Sequence, residues 1–117
     1  MTIRTTERRK SISPDVILSA VANDYRRVVL RALHHTDEEA MGVNALVDRV
    51  ADRVGNGEPP DDEHRQYIHT ALHHVHLPKL EDCGMIVHDT ETDQVRNVTG
   101  ELGQELLALV APYETGE

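Results

Sequence analysis

Apolar residues recur at helical spacing in the segment from His64 to Leu77, and polar residues fill the positions between them. The 3.6-residue period predicts a helix whose core-facing stripe consists of Ile68, Ala71, Leu72 and Val75. The other side of this helix carries Arg65, Gln66, His69, His73 and His76, with Thr70 at its border. Pro78 removes one intrahelical hydrogen bond and predicts a kink near His74, and Gly84 supplies the left-handed residue that ends the helix.

Four predicted elements precede this helix. Ser13 and Pro14 have the N-cap and first-turn chemistry of a helix start, and Asn23 caps a second helix. The apolar stripe of the second helix leaves three basic side chains outside it: Arg26, Arg27 and Arg31. Gly42 and Val43 predict a very short strand, and Asn44 is predicted to cap a third helix. A Gly- and Pro-rich breaker from 55 to 60 then leads to Asp61, the first of three acidic residues that favour a helix start.

A hairpin and a last helix are predicted after Gly84. The β-branched segments 85–89 and 94–98 flank Thr90–Asp93, a turn by composition. Thr99 is predicted to cap the last helix, and Pro112 to end its regular part. With 117 residues the chain has room for one ordinary domain, whose core is aliphatic because Trp and Phe are absent.

Charge and cysteine content limit the classes of binding partner and the cellular compartments that are compatible with this sequence. The formal net charge is −9, ten of the twelve basic residues are Arg, and residues 1–10 alone carry a net +3. Acid excess with scarce Lys resembles the proteins of salt-loving archaea. In molar salt the Debye length is about 3 Å, so net negative charge does not exclude DNA. A single cysteine, no apolar run of transmembrane length and no signal peptide predict a cytoplasmic protein without a membrane partner.

The order of the predicted elements is helix, helix, short strand, helix, helix, hairpin, helix. This is the plan of the winged helix-turn-helix, a mainly α fold with a small β-hairpin wing. The segment Leu77-Pro-Lys-Leu-Glu-Asp-Cys-Gly-Met-Ile86 resembles the L-x-x-L-x-x-x-G-h-h ending of winged-helix regulators of the PadR, ArsR and MarR kind. Together with 23–30 and 74–80 it is similar to small haloarchaeal regulators, some of which respond to oxidative stress. The resemblance covers residues 13–100 and implies a DNA-binding transcription regulator.

The predicted recognition helix supplies the chemistry that such a regulator needs. Gln matches adenine, Arg matches guanine, and Thr meets the thymine methyl or a phosphate. The DNA-binding residues predicted on this helix are Arg65, Gln66, His69, Thr70 and His73. Arg96 in the wing, Arg26 and Arg27 on the second helix, and the N-terminal arm are predicted to add backbone or minor-groove contacts. We expect inorganic cations to bridge protein carboxylates and phosphates on the double-stranded DNA.

The terminal helices are predicted to join two copies of the chain. Their apolar residues form a regular stripe, which predicts a homodimer on a pseudo-palindromic site. The predicted interface consists of Val16, Ile17, Val21, Leu102, Leu106, Leu109, Val110 and Tyr113. The domain plan is therefore a basic arm (1–12), a winged helix-turn-helix domain (13–99), and a dimerisation helix with a tail (100–117). An intramolecular lid over the core is the alternative for the last segment.

Other functions remain open at the level of sequence. A winged-helix protein that has lost DNA binding would be a protein–protein adaptor. His69, His73 and His76 share a helix face and could bind Zn²⁺, but no motif completes the site, so no cofactor is predicted. Cys83 could sense oxidants, although its place beside core positions favours a buried, inert thiol. No nucleophile elbow, phosphate loop or acid–base pair indicates an enzyme.

Overall fold

A computed structural model describes residues 13–55 and 61–114. It is mainly helical with a small antiparallel sheet, as predicted. The elements in chain order are α1 (Pro14–Ala20), α2 (Asp24–His35), β1 (Met41–Gly42), α3 (Val43–Val54), α4 (Asp62–Ala71), a π-helical segment (Leu72–His76), α5 (Leu77–Asp82), β2 (Ile86–Asp89), β3 (Gln94–Asn97) and α6 (Glu101–Glu114). The predictions for the basic arm, for the breaker beyond Gly55 and for the tail after Glu114 lie outside the described residues.

Local side-chain chemistry sets most of the helix starts. Ser13 Oγ accepts a hydrogen bond from Val16 N at 3.2 Å, and Asp61 Oδ1 accepts one from His64 N at 2.8 Å. Asn23 Oδ1 caps α2 by accepting from the N–H groups of Tyr25 and Arg26. These caps satisfy backbone donors that have no intrahelical partner. The predicted caps Ser13 and Asn23 are confirmed, whereas Asp61, predicted as one of three carboxylates in the first turn, is the N-cap itself.

Two predicted caps are wrong. Gly42 occupies the N-cap position of α3, and helix geometry begins at Val43, so Asn44 lies inside the helix and the short strand is Met41–Gly42. The last helix begins at Glu101, and the Thr99 hydroxyl donates to Asn97 Oδ1 at 2.7 Å instead of capping it. In both places a competing contact with the hairpin region decides where the helix begins.

The sheet joins the hairpin to the start of α3. The strand order is β1-β3-β2, all antiparallel, with Met41 opposite Val95 and Ile86 opposite Asn97. The backbone N–H of Val43 also donates to the carbonyl of Asp93 at 3.0 Å. The predicted hairpin is confirmed to within a residue, and its tip is tied to α3 by this hydrogen bond.

The long helix that carries the candidate site contains a π-helical turn. Leu77 N–H donates to Leu72 O, five residues back. A π-helical turn accommodates one more residue than an α-helical turn, so every later residue is displaced by about one position around the axis. The inward positions therefore fall on His76 and Leu77, which are 8 % and 0 % exposed, while Val75 is 52 % exposed.

The displacement corrects two predictions at once. Val75 does not face the core, and His76 does not belong to the polar side. The disturbance from Pro78 takes the form of the π-helical segment around His74, because the proline has no N–H to bond the His74 carbonyl. Ile68 and Leu72, which precede the displacement, are fully buried as predicted.

Gly84 ends α5 in the predicted way. Its φ is 76°, in the left-handed region that favours glycine. Gly84 N donates to Glu81 O, and Met85 N donates to Leu80 O at 3.0 Å. These two bonds and the burial of both Leu80 and Met85 define a Schellman ending, which sends the chain directly into β2.

The last helix packs closely on α2. A Cβ at Gly103 would lie 2.9 Å from His34 Nε2, so only glycine permits this approach. Contrary to prediction, α6 continues through Pro112 to Glu114. Glu114 accepts from Arg27 Nε at 2.6 Å and from Arg31 Nη1 at 2.9 Å, which holds the helix end against α2.

The core is aliphatic, as predicted, and draws on every helix and on the sheet. In the part of the chain that the structure describes, none of the helices has the length and apolarity that crossing a bilayer requires.

Candidate nucleic-acid interface

The exposed side of α4 carries the predicted recognition residues, and we call Arg65, Gln66, His69 and Thr70 the α4 polar face. Gln66 and Thr70 are exposed, and Arg65 and His69 are partly buried. A polar groove of about 370 Å³ runs between this face and the start of α3, and its lining includes Asn44, Asp62, Arg65, Gln66 and His69. The structure therefore brings together three of the four side chains along one groove.

The α4 polar face carries little free positive charge. Arg65 Nη1 forms an ion pair with Asp48 of α3. Three carboxylates lie at the start of this helix, where the positive end of the helix dipole stabilises them: Asp61, Asp62 and Glu63. A phosphate at this helix end would meet carboxylates, so cations must take part in any close approach.

His73 lies one turn after His69 and meets the tip of the hairpin. The rings of these two histidines are 4.7 Å apart between centroids. His73 Nε2 lies 3.3 Å from Asp93 Oδ1, and His88 Nε2 donates to the same oxygen at 2.9 Å. We call His69, His73, His88 and Asp93 the histidine–aspartate cluster; it connects α4 and the π-helical segment to the hairpin.

Asp93 is held in place by its backbone as well as by its side chain. Its φ of 58° is left-handed, a conformation that Asp tolerates better than most residues, and its carbonyl accepts from Val43 N. The hydrogen bond from His88 is the main cause that lowers the pKa of Asp93, and the charge of His73 adds to it. The carboxylate therefore stays ionised, facing the imidazoles.

His76 lies outside this cluster. It is buried, its Nδ1 lies 3.1 Å from Arg26 Nη1, and its ring contacts Tyr25 at a centroid distance of 5.2 Å. A guanidinium only donates, so Nδ1 is the acceptor and His76 is the neutral tautomer with hydrogen on Nε2. Burial, and next the charge of Arg26, lower the pKa of His76.

Two predicted DNA contacts are engaged inside the protein. Arg26 is 8 % exposed, which corrects the prediction that it lies outside the apolar stripe. Its guanidinium donates to Ala20 O at 2.8 Å and to Ser19 O at 2.9 Å. Arg27 donates to Val21 O and pairs with Glu114. Neither guanidinium reaches a phosphate without breaking these bonds.

Arg96 remains available on the hairpin. It is exposed on β3 opposite Val87, not opposite the acidic residues of the tip. Within residues 13–55 and 61–114, no carboxylate forms an ion pair with Arg96. It is therefore the hairpin cation best placed to contact a phosphate backbone.

The predicted dimer residues divide into two groups. Val21 and Leu106 are buried in the chain's own core, at 2 % and 9 % exposure, so they leave no surface for a partner. Exposed apolar side chains remain on α1 and α6: Val16, Leu18, Leu102, Leu109 and Tyr113. Leu18, Val110 and Tyr113 line one groove of about 420 Å³, which lies between the two helices. Ile17 packs partly against the core.

Cys83 is buried, as expected, and its Sγ lies 3.6 Å from the carbonyl of Val16. Burial is the main cause that raises the pKa of the Cys83 thiol. A reactive thiol needs exposure and a lowered pKa, so the geometry gives no support to oxidant sensing through this residue.

Sequence reasoning missed His88 and Asp93. The helical spacing of His69 and His73 indicated their common face, but the hairpin tip joins them only through tertiary packing. The spacing of His88 and Asp93 across the hairpin turn is the only local signal, and it does not indicate a neighbouring helix.

The fold and the site define a mainly helical domain in which a polar helix lies beside a three-stranded antiparallel sheet. The chain belongs to the family described as a domain of unknown function, DUF7344, whose model matches residues 18–96. The α4 polar face and the histidine–aspartate cluster both fall within the matched range, and α6 follows it. No curated protein and no solved structure matches the chain significantly.

Proposed function

We propose that this protein is a winged helix-turn-helix transcription regulator that binds double-stranded DNA as a homodimer in a high-salt cytoplasm. The observation that carries the proposal is the α4 polar face, which precedes a hairpin in the chain. The π-helical segment that continues α4 packs beside this hairpin through His73 and Asp93. The element order, with β1 paired to the hairpin, agrees with the winged-helix plan. In that plan the helix before the hairpin enters the major groove, and the hairpin contacts the adjacent backbone.

Direct readout is assigned to Gln66, His69 and Thr70, with His73 at the end of the face. Gln66 is exposed and has the amide geometry that pairs with adenine. Arg65 contacts a guanine edge or a phosphate once the DNA displaces Asp48 as its partner, or once a cation takes the place of Arg65 on the Asp48 carboxylate. Arg96 contacts the backbone from the hairpin. Because carboxylates surround the face, binding takes up cations where most proteins release them, and affinity persists in molar salt.

Substitution of the α4 polar face tests this assignment. We expect Gln66→Ala to weaken binding to a selected DNA site by roughly 5- to 150-fold, the range for loss of one good base contact. The site is first selected from a random duplex library in molar KCl, and affinities are then measured by fluorescence anisotropy. The matched control is His35→Ala, because His35 is exposed at the end of α2 and lies away from this face.

Three outcomes contradict the proposal. One is the absence of any enriched sequence, which favours the adaptor alternative. Another is a Gln66→Ala variant that binds as tightly as the His35→Ala control. The third is a steep loss of affinity when KCl is raised in the same titration, because it would show ordinary counterion release.

The exposed apolar side chains of α1 and α6 support the dimer. Leu109 and Tyr113 are 63 % and 83 % exposed. Tyr113 lines the groove between α1 and α6 together with Leu18 and Val110. A second copy that covers this surface by two-fold symmetry would place two recognition helices about 34 Å apart, one turn of DNA.

We expect Leu109→Glu to convert the dimer into a folded monomer, because the charge would be buried at the interface. Sedimentation equilibrium at micromolar concentration measures the change, and circular dichroism verifies the fold. Val87→Glu is the control, since Val87 is 40 % exposed on the hairpin and lies elsewhere. A wild-type chain that sediments as a monomer would refute the dimer.

A further inference from the structure

We propose that His69, His73 and Asp93 bind one divalent transition-metal ion of the Zn²⁺ class. Each side chain offers one ligand atom, and these three atoms lie within 4.8 Å of one another. The site joins the face of one helix to the tip of the hairpin, so its ligands come from elements that are distant in sequence.

The distances suit a tetrahedral ion. Bonds of 2.0–2.1 Å place neighbouring ligands of such an ion about 3.3 Å apart. His73 Nε2 and Asp93 Oδ1 are already separated by 3.3 Å. His69 lies one helical turn before His73, with the ring centroids 4.7 Å apart, so a side-chain rotation brings its nitrogen to the ion. His69 and Asp93 are both partly exposed, which leaves a path for the ion and a fourth position for water.

The donor set selects the class of metal. Two imidazole nitrogens and one carboxylate oxygen suit Zn²⁺, Co²⁺, Ni²⁺ and Cu²⁺. Mg²⁺ and Ca²⁺ require mostly oxygen ligands, which these side chains do not supply.

His88 acts as a positioning residue for the ligand carboxylate. Its side chain is 8 % exposed, and its Nε2 donates to Asp93 Oδ1 at 2.9 Å. The backbone hydrogen bond from Val43 to Asp93 O fixes the same residue from the other side. Hydrogen bonds of this kind orient metal ligands and raise affinity, typically by 10- to 100-fold.

Metal binding has a regulatory consequence, which rests on the proposed function. His69 and His73 belong to the surface assigned to DNA, and a nitrogen that binds metal cannot contact a base edge. Zn²⁺ therefore competes with DNA for these histidines, and the metal-loaded protein dissociates from its DNA site.

Metal binding is tested on the full, tag-free chain after treatment with a chelator. We expect calorimetry with ZnCl₂ to show one ion per chain, and Co²⁺ to give the visible absorption of a tetrahedral site. Asp93→Asn and His73→Ala should each weaken Zn²⁺ binding by at least about 100-fold, and His88→Gln by about 10- to 100-fold. Asn tolerates the left-handed backbone of Asp93, so the Asp93→Asn variant keeps the hairpin.

His74→Ala is the matched control, because His74 is exposed on the next position and lies outside the cluster. It should bind Zn²⁺ within about twofold of wild type. The metal site is refuted if Asp93→Asn binds Zn²⁺ as wild type does, or if His74→Ala loses binding equally, since the latter indicates unspecific capture by the histidine-rich segment.

A DNA titration with and without Zn²⁺ separates the metal site from the proposed function. We expect Zn²⁺ to lower DNA affinity in the wild type and to leave the affinity of Asp93→Asn unchanged. Equal DNA affinity at saturating Zn²⁺ would refute the competition but not the site. Failure to bind DNA under both conditions would refute the proposed function, while calorimetry still decides the metal site.

Discussion

Arg26→Ala is expected to lower the free energy of unfolding by about 1.5–3 kcal/mol, the range for loss of buried hydrogen bonds to a charged group. The guanidinium of Arg26 serves three acceptors, namely Ala20 O, Ser19 O and His76 Nδ1. Alanine leaves these acceptors without their donor and opens a cavity between α1, α2 and the π-helical segment. Urea denaturation followed by circular dichroism measures the loss.

Two further variants distinguish the network from a general effect of charge. Arg26→Lys keeps the charge but cannot supply the planar fork, so it should recover only part of the lost stability. Arg49→Ala, at an exposed position of α3, should change stability by less than about 0.5 kcal/mol. Equal stability of Arg26→Ala and Arg49→Ala would show that the buried network contributes nothing.

The network also makes stability depend on pH. Burial lowers the pKa of His76, which belongs to this network, and separately that of His34, which contacts Asn97. The unfolded chain therefore binds protons that the folded chain does not. The free energy of unfolding is therefore highest above the ordinary histidine pKa of about 6.5. It declines as the pH falls from there towards the lower pKa values of these histidines in the folded protein.

Glu114→Gln is expected to lower the free energy of unfolding by at most about 3 kcal/mol at neutral pH, independently of the Arg26 network. Hydrogen bonds from Arg31 are the main cause that lowers the pKa of Glu114 to about 2, and Arg27 adds to them. The Glu114 side chain is only 8 % exposed, so solvent screens the pair weakly. The carboxylate connects the end of α6 to α2.

The sign of the pH effect follows from the lowered pKa. The stabilisation by Glu114 is complete above the unfolded pKa of about 4.5 and is lost as the pH falls towards about 2. Urea denaturation at several pH values should therefore show a decline in this window for the wild type, and a smaller decline for Glu114→Gln. Glu105→Gln, exposed on the same helix, is the control and should retain the wild-type profile. Identical profiles for all three proteins would contradict the assigned role of Glu114.

At the candidate site, local sequence periodicity predicted some side-chain positions correctly and others wrongly. The spacing of Gln66, His69 and His73 predicted one polar side of a helix, and the structure places these residues on or beside it. The same periodicity assigned His76 to that side and Val75 to the core, and both assignments are wrong. They assumed uniform α-helical geometry, whereas the π-helical turn ahead of Pro78 displaces all later residues by one position.

The partners of the basic residues of α2 could not be predicted from local sequence. Arg26, Arg27 and Arg31 are charged, and sequence reasoning placed them at the surface. The carbonyls at the end of α1 and the carboxylate of Glu114 engage them instead. No local sequence pattern predicts such partners, because Glu114 is more than eighty residues away along the chain.

The sequence by itself determined the aliphatic core, most helix starts, the hairpin and the glycine that ends α5. Each depends on side-chain chemistry within a few residues, such as the caps at Ser13, Asn23 and Asp61. Only the tertiary structure decided which histidines meet Asp93, where Arg26 is buried and which apolar residues remain exposed on α1 and α6. Those outcomes depend on contacts between distant segments, and on one extra residue in a helical turn that periodicity does not encode.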